Sequence, residues 1–433
     1  MDAMTTQPTT PPDLDGRTLY VPRMTYIGTR VFTAVFRSAG INARMVDPSD
    51  DKTLEWGGLY SSGEECYPQK ITLGDFMRII HAPGFDPDAT AFFMPIAEGP
   101  CRFGQYAPYL RHVLRDMGYE RIPVVSPTSR NSYDGLAAHA PDMIRRLWRA
   151  IVAGDILRKM LLKTRPYETA PGAADAALEA ALDDVEAVLE RPDLDSRERM
   201  AAMVQTLTAC RDRFRNVPAH YTRDRVLIGV VGEIFCRLNA FCNDDALRKI
   251  EAHGGEAWLS DMCEWVWYTN WGRHRELIRQ GKRISLERLK TVVRDAVQAA
   301  DEHALYAPFA EDFRGYEEPH DLYEEVLKPV WDYLPADSAV GEMVLTIGKS
   351  AYLQRKGADG IIDISPFSCM NGIVTEAMHP ALSRDLDNMP LRSFYFDDAS
   401  SNLQRDLDIF MELARGYNER KSARRVYPAS FGE

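Results

Sequence analysis

The sequence predicts an α/β protein with two Rossmann-like parallel-sheet domains, helical insertions and an interdomain cleft. Three observations predict it. Runs that are apolar at almost every position, "ATAFFMPI" (89–96), "DRVLIGVVGE" (224–233) and "GADGIIDISPF" (357–367), suit strands buried on both faces of a sheet. Segments of helical period alternate with them, which is the order a parallel sheet requires. Glycines such as Gly40 and Gly118 stand at the ends of those helical segments, where a left-handed residue stops a helix.

The elements follow in order. "RTLYVPR" (17–23) reads as a strand that ends at Pro22, and "GTRVFTAVFRSAG" (28–40) as a helix with Val31, Phe32, Val35 and Phe36 on one face. "ARMVDPS" (43–49) is a strand, "ITLGDFMRIIHAPG" a helix, "ATAFFMPI" a strand, "APYLRHVLRDMGY" a helix and "RIPVVSPT" (121–128) a further strand. From Asp134 to about Val217 the pattern is helical, clearest in "AADAALEAALDDVEAVLE" (173–190). Alternation then resumes with the strand at 224–233, the helix "DDALRKIEAHGG", the strand "EAWLSDM", helices over roughly 284–356, the strand at 357–367, the helix "NGIVTEAMHPAL", the strand "LRSFYFD" (391–397) and the helix "NLQRDLDIFMELARGYNER".

The 433 residues suit two or three domains at roughly 150 residues each. We expect a disordered lead-in at 1–16, a first α/β domain at 17–133 and a helical segment at 134–223. A second α/β domain follows at 224–420 with a helical insertion at about 284–356, then a tail at 421–433. The two domains share a pattern but no sequence repeat.

Composition narrows the function. A net charge of -12 argues against holding a nucleic-acid backbone, which rests on Lys and Arg meeting phosphates. No basic run of five or more occurs; the closest, "ERKSARR" (419–425), reads as a solvated tail. No apolar run approaches the ~20 residues that span a bilayer. "MDAMTTQPTTPPDLDG" lacks the basic and apolar regions of a signal peptide, so a cytoplasmic location is expected.

The seven cysteines are an odd number in a compartment expected to be reducing, so a disulfide framework is not expected. Core packing, catalysis or metal binding remain. Cys210, on a helix, reads as a core residue, as do Cys236 and Cys263, while Cys242 lies in the polar turn "NAFCND". Cys66, Cys101 and Cys369 differ. Each sits in a short polar turn, in "GEECYPQK", "EGPCRFGQY" and "SPFSCMNG". Cys101 and Cys369 lie just past predicted strands, and Cys66 leads into a helix. Ligands of open α/β sheets bind beyond the carboxyl ends of strands. Two of the three fall in the first domain and one in the second, so a shared site would occupy the cleft.

"GEECYPQK", "GPCRFGQY", "GEIFCRLNAFCNDD", "GGEAWLSDMCEW" and "GADGIIDISPFSCMNGI" together resemble the 2-hydroxyacyl-CoA dehydratase and benzoyl-CoA reductase subunit superfamily. More closely, they resemble the dehydratase-like domain of large CoA-enzyme activase proteins. The resemblance covers roughly residues 17–420. It implies Rossmann-like domains that hold an iron–sulfur cluster between them, either a 4Fe–4S cluster, which is the expectation here, or a double cubane. It implies Cys66, Cys101 and Cys369 as the ligands, with Lys70 and Arg102 positioned to offset the cluster's charge. Three thiolates on a 4Fe–4S cluster leave one iron for a water, hydroxyl or substrate oxygen. The resemblance further implies a low-potential electron from a separate ATP-hydrolysing activase, a small or CoA-linked substrate, dehydration or reduction as the outcome, and a homo- or hetero-oligomer. The alternative is a non-enzymatic, cluster-bearing scaffold or relay that docks an activase and a dehydratase. No CxxC pair or HxxxH favours zinc.

Several features are decoys or open. "GKS" (348–350) lacks the P-loop glycine, because position 343 is Met343, and the ATPase module of the resembled large proteins is absent. Glu233, Asn239 and Asn243 are weak candidates for a polar pocket. His379 reads first as a helix-surface or cap residue. "WVWYTNWGRH" (265–274) reads first as core or subunit interface, with an acyl pocket as the alternative.

Overall fold

The computed structural model describes residues 14–97, 99, 101–128, 142–335, 339–398 and 403–432. Most of the expected lead-in and the expected helical start at 134–141 lie outside the described residues.

The first sheet takes β1 (Thr18–Val21), α1 (Tyr26–Ser38), β2 (Ala43–Met45), α2 (Asp51–Leu59), α3 (Tyr67–Ile80), β3 (Thr90–Phe93), α4 (Tyr106–Asp116) and β4 (Val124–Val125). A helical block follows: α5 (Met143–Thr164), α6 (Ala173–Leu189) and α7 (Ser196–Arg215). The second sheet takes β5 (Val226–Gly232), α8 (Ile234–Leu238), α9 (Ala246–Ala252), β6 (Gly255–Leu259), the inserted α10 (Met262–Arg279), α11 (Leu286–Tyr306) and α12 (Glu342–Arg355), then β7 (Gly360–Pro366), α13 (Met370–Asp385), β8 (Leu391–Phe396) and α14 (Leu403–Arg420).

Both sheets are four-stranded and parallel throughout. Their orders, β2-β1-β3-β4 and β6-β5-β7-β8, are the same when each is counted from its own first strand. The predicted fold class therefore stands, and the likeness of pattern between the halves is a likeness of topology. In each sheet the chain reverses its direction of travel at the seam between first and third strands, β1/β3 and β5/β7. That seam opens a crevice at the carboxyl ends of the strands, the usual ligand position of such sheets.

Burial explains why these runs are strands. Every residue of β3, β5, β6 and β7 is buried, because apolar helices cover both faces. α5–α7 bury their apolar faces in the same core as α1 and the first sheet. The helices from Met143 to Arg215 thus form a helical layer of the first domain's core. The insertion in the second domain opens at Met262, earlier than the sequence suggests.

Two elements have glycine as their reason. α2 and α3 cross at Gly57 and Gly74: a Cβ at Gly57 would strike the Lys70 carbonyl, and one at Gly74 the Thr53 carbonyl. That close crossing fixes the approach of α3, whose first residue follows Cys66.

Candidate functional site

Cys66, Cys101 and Cys369 share a structural position. Each is the N-cap of a helix and has an extended backbone: Cys66 on α3, Cys101 on the one-turn 3₁₀ helix Arg102–Gln105 that leads into α4, and Cys369 on α13. A helix N-terminus leaves backbone N–H groups without intrahelical partners and carries partial positive charge. At Cys101 one of those groups reaches the sulfur. The Phe103 N–H donates to Cys101 Sγ at 3.4 Å. The Gln69 amide favours the Cys66 thiolate, and the Gly372 and Asn371 amides favour that of Cys369.

Arg102 ties the three turns together. Its Nη1 donates to the Glu64 carbonyl at 2.8 Å, two residues before Cys66. Its Nη2 donates to the Ser368 carbonyl at 2.9 Å and to Ser368 Oγ at 3.0 Å, one residue before Cys369. Ser368 has a φ of 61°, in the left-handed region that a serine seldom occupies, and strain of that kind needs surrounding contacts to hold it. Arg102 is thus spent on two backbone carbonyls and a serine hydroxyl beside the cysteines. Lys70 does not join it: its ammonium is paired with Asp398 of the second domain.

The hydroxyl of Tyr106, at the start of α4, lies 2.7 Å from Cys66 Sγ. Behind the turns lies a cavity of about 250 Å³. Its walls come from both switch points, with Val21, Phe93 and Cys101 from the first sheet's side and Glu233 and Asn371 from the second's. α5, α10 and α11 close it with mainly apolar surface, including Trp148, Trp265 and Val266. Trp265 and Val266 belong to the aromatic segment at 265–274, so that segment supplies pocket wall as well as core.

Two carboxyls line this cavity, the half-buried Glu233 and the buried Glu342. Glu233 caps α8, accepting from the Phe235 and Cys236 amides at 3.1 and 2.7 Å. Glu342, at the first position of α12, accepts from the Ile234 amide at 2.7 Å. Burial pushes Glu233 up, and burial followed by the charge of Glu233 pushes Glu342 up to about 8. Asn371 Oδ1 is buried there without a hydrogen-bond donor. Burial also raises all three thiols, Cys369 to about 12, and the Glu233 charge adds to the rise at each. In this state the three thiols hold their protons.

The donor chemistry suits a thiolate-bound cluster: soft sulfur ligands, each on a helix N-terminus, beside an arginine. Among the described residues no three His, Cys, Asp or Glu side chains converge closely enough to hold a single metal ion. A cubane makes a wider demand, because ligands on different irons stand on the order of 6–7 Å apart given metal–thiolate bonds of about 2.3 Å.

The remaining candidates have structural explanations. Cys210 is fully buried in α7. Cys236 and Cys242 are buried with their sulfurs 3.4 Å apart, and the backbone of buried Cys263 donates to Asp155. Asn239 and Asn243 staple the loop around Cys242 through backbone groups. His379 is buried in α13 with Nε2 3.4 Å from Asp363, not at the surface. Lys349 of "GKS" lies inside α12, fully buried against Glu264 and Glu318.

Sequence reasoning missed Tyr106, Glu342 and Asn371. Asn371 could have been found from its place two residues past Cys369; Glu342 had no local signal. Neither a protein-family model nor a curated protein matches the chain.

Proposed function

We propose that the protein is an iron–sulfur redox protein of the 2-hydroxyacyl-CoA dehydratase type. Cys66, Cys101 and Cys369 would hold the cluster, and an acyl or other small apolar group would lie in the adjoining cavity. The observation that carries this reading is that three cysteines, each the N-cap of a helix, stand in turns that the Arg102 side chain bonds together. A bound cluster would supply one-electron reduction and a Lewis-acidic iron beside the cavity.

The chain's own groups prepare the place. The helix N-termini place partial positive charge beside the sulfurs, which lowers the cost of concentrating thiolate charge. Burial keeps water from the sulfurs, and the apolar walls select an uncharged moiety. The Tyr106 hydroxyl orients Cys66. The "GKS" segment is helical, so the ATP hydrolysis that delivers a low-potential electron is assigned to a separate activase. Phe367, Met370 and Ile373, all exposed beside Cys369, offer that partner an apolar landing near the site.

The experiment is anaerobic reconstitution followed by iron and sulfide analysis and EPR of the reduced protein. About four irons and four sulfides per chain, with a low-spin reduced signal, are expected for one cubane. A chain that takes up no stoichiometric iron and sulfide ends the proposal. A signal that changes on adding acyl-CoA separates the enzyme from a scaffold, whose signal would not respond.

A further inference from the structure

Cys236 and Cys242 stand six positions apart in the chain, and their sulfurs are in contact at 3.4 Å. Cys236 lies on α8 and Cys242 in the loop that leads to α9, and both are buried. The sulfur contact is not what holds that loop, because hydrogen bonds already do. Asn239 Oδ1 accepts from the Cys242 amide at 2.9 Å, and Asn243 Nδ2 donates to the Cys236 and Arg237 carbonyls at 2.9 and 3.1 Å. Asn239 Nδ2 is anchored in turn on the Arg23 carbonyl at 2.7 Å. The backbone thus presents the two side chains to each other independently of the sulfurs. Two thiols placed in this way are preorganised for a bond between them. A disulfide needs sulfurs about 2.05 Å apart, so closure is a movement of little more than an ångström.

The loop also gives an oxidant its way in. Ala240 and Asp244, on either side of Cys242, are exposed. Asp244 and Asp245 have φ of 51° and 52°, both in the left-handed region and neither a glycine. Backbone of that kind stores strain, so this loop opens more cheaply than the fully buried strand β5 before it. Opening uncovers Cys242 first and leaves Cys236 behind it on α8. Burial raises both thiols, which keeps the closed loop unreactive, while the hydrogen bond from Cys236 favours the thiolate of Cys242. The pair lies against the candidate site: both cysteines share a buried cluster with Tyr67, the residue after Cys66, and the Cys236 amide is bonded to Glu233.

We propose that Cys236 and Cys242 are a redox-active pair that closes reversibly to a disulfide when the protein meets hydrogen peroxide. The Cys242 thiolate attacks one peroxide oxygen and breaks the O–O bond. Cys242 becomes a sulfenic acid, and the leaving hydroxide takes up the thiol's proton and departs as water. The Cys236 sulfur then attacks Cys242, forming the S–S bond and releasing a second water. Two thiols are oxidised and one peroxide is reduced to two waters; a dithiol reductant reverses the step by exchange. In a reducing compartment the dithiol is the resting form and the disulfide a transient one. This inference does not depend on the cluster.

The native full chain, treated with equimolar hydrogen peroxide, alkylated and digested with trypsin without reduction, tests it. Cleavage after Arg237 separates the two cysteines, so their disulfide joins peptide 226–237 to peptide 238–248. Wild type should yield that linked pair, and dithiothreitol should abolish it, while Cys210, fully buried in α7, stays free. Cys236→Ser should leave Cys242 as a sulfenic acid trapped by dimedone, and Cys242→Ser should give neither the linked pair nor an adduct at Cys236. The wild-type digest stands whether or not the variants fold. Cys236 and Cys242 that both remain alkylatable in wild type overturn the proposal, as does linkage of either to Cys66, Cys101 or Cys369. Oxidation of Cys210 at the same rate would mean that the whole chain opens, and would overturn it too. A dimedone adduct at Cys236 in the Cys242→Ser protein would overturn the order of attack.

Discussion

The Arg102 guanidinium stands 2.9 Å from the Ser368 carbonyl, although 266 positions separate the two residues. With the bond to Glu64 on the same side chain, one arginine spans the two sheets at their carboxyl edges. The turn that carries Cys101 is thereby fixed relative to the other two. A net hydrogen bond contributes about 1 kcal/mol, more when one partner is charged. The pair of bonds is a modest stabiliser of the fold and a strong constraint on relative position.

Arg102→Ala should therefore lower global stability by only about 1–3 kcal/mol while loosening the site. Amide hydrogen exchange read by mass spectrometry should quicken in peptides covering 62–69 and 366–373 and stay unchanged in β5 and β6. A uniform increase across the molecule would mean that Arg102 supports the whole fold and has no special hold on these turns.

The three motif cysteines should separate from the rest in reconstitution. Cys66→Ser, Cys101→Ser and Cys369→Ser each replace a soft ligand by a harder oxygen and should each lose most of the iron and sulfide. Cys210→Ser should retain wild-type content, because that sulfur packs in the core of α6 and α7 and accepts nothing from the site. Equal iron content in all four variants would sink the assignment.

Much of the fold was legible because buried parallel strands must be apolar at every position, so β3, β5 and β7 announce themselves. α2 was not legible. Its "DKTLEWGGL" places two glycines where a helix former is expected, and those glycines serve a helix crossing that no local pattern encodes. α3 begins at Tyr67, four residues before the apolar period starts, because Pro68 in its first turn and a cysteine cap mask the start. At the site, the cysteines were legible from their turns. Glu342 and Tyr106 were not, since each meets its partners only when distant elements are folded together.

Asp75 offers a pH test within the helix that Cys66 caps. It is buried, and burial pushes its carboxyl up to about 6 from 3.8, against the lowering effect of hydrogen bonds from Thr53 and Ser49. A carboxyl raised in the folded state holds a proton that the unfolded chain has released, so stability falls as pH rises between about 4 and 6 and is level above that window. A shift of this size corresponds to about 3 kcal/mol. Asp75→Asn keeps an acceptor for Thr53 and abolishes the titration. In urea unfolding, wild type minus variant should decline across pH 4 to 6 and then flatten. A difference that is constant with pH would show that Asp75 does not titrate in this window.

Lys349 is the last and sharpest case, because its sequence context suggests phosphate binding and its surroundings forbid it. The side chain is fully buried in α12, with Glu264 Oε2 at 2.8 Å and Glu318 on its other side. Glu318 is also held by Lys159 at 2.5 Å, so removing one ammonium leaves buried carboxylates short of charge. Breaking a buried ion pair at one partner costs about 3–5 kcal/mol. Lys349→Ala should accordingly unfold at a markedly lower urea concentration, and any activity it loses will follow its loss of folded protein. Calorimetric titration of the wild-type chain with MgATP should give heats of dilution only. Saturable binding by wild type, abolished in Lys349→Ala protein that remains folded by circular dichroism, would place a nucleotide where the structure places an ion-pair network.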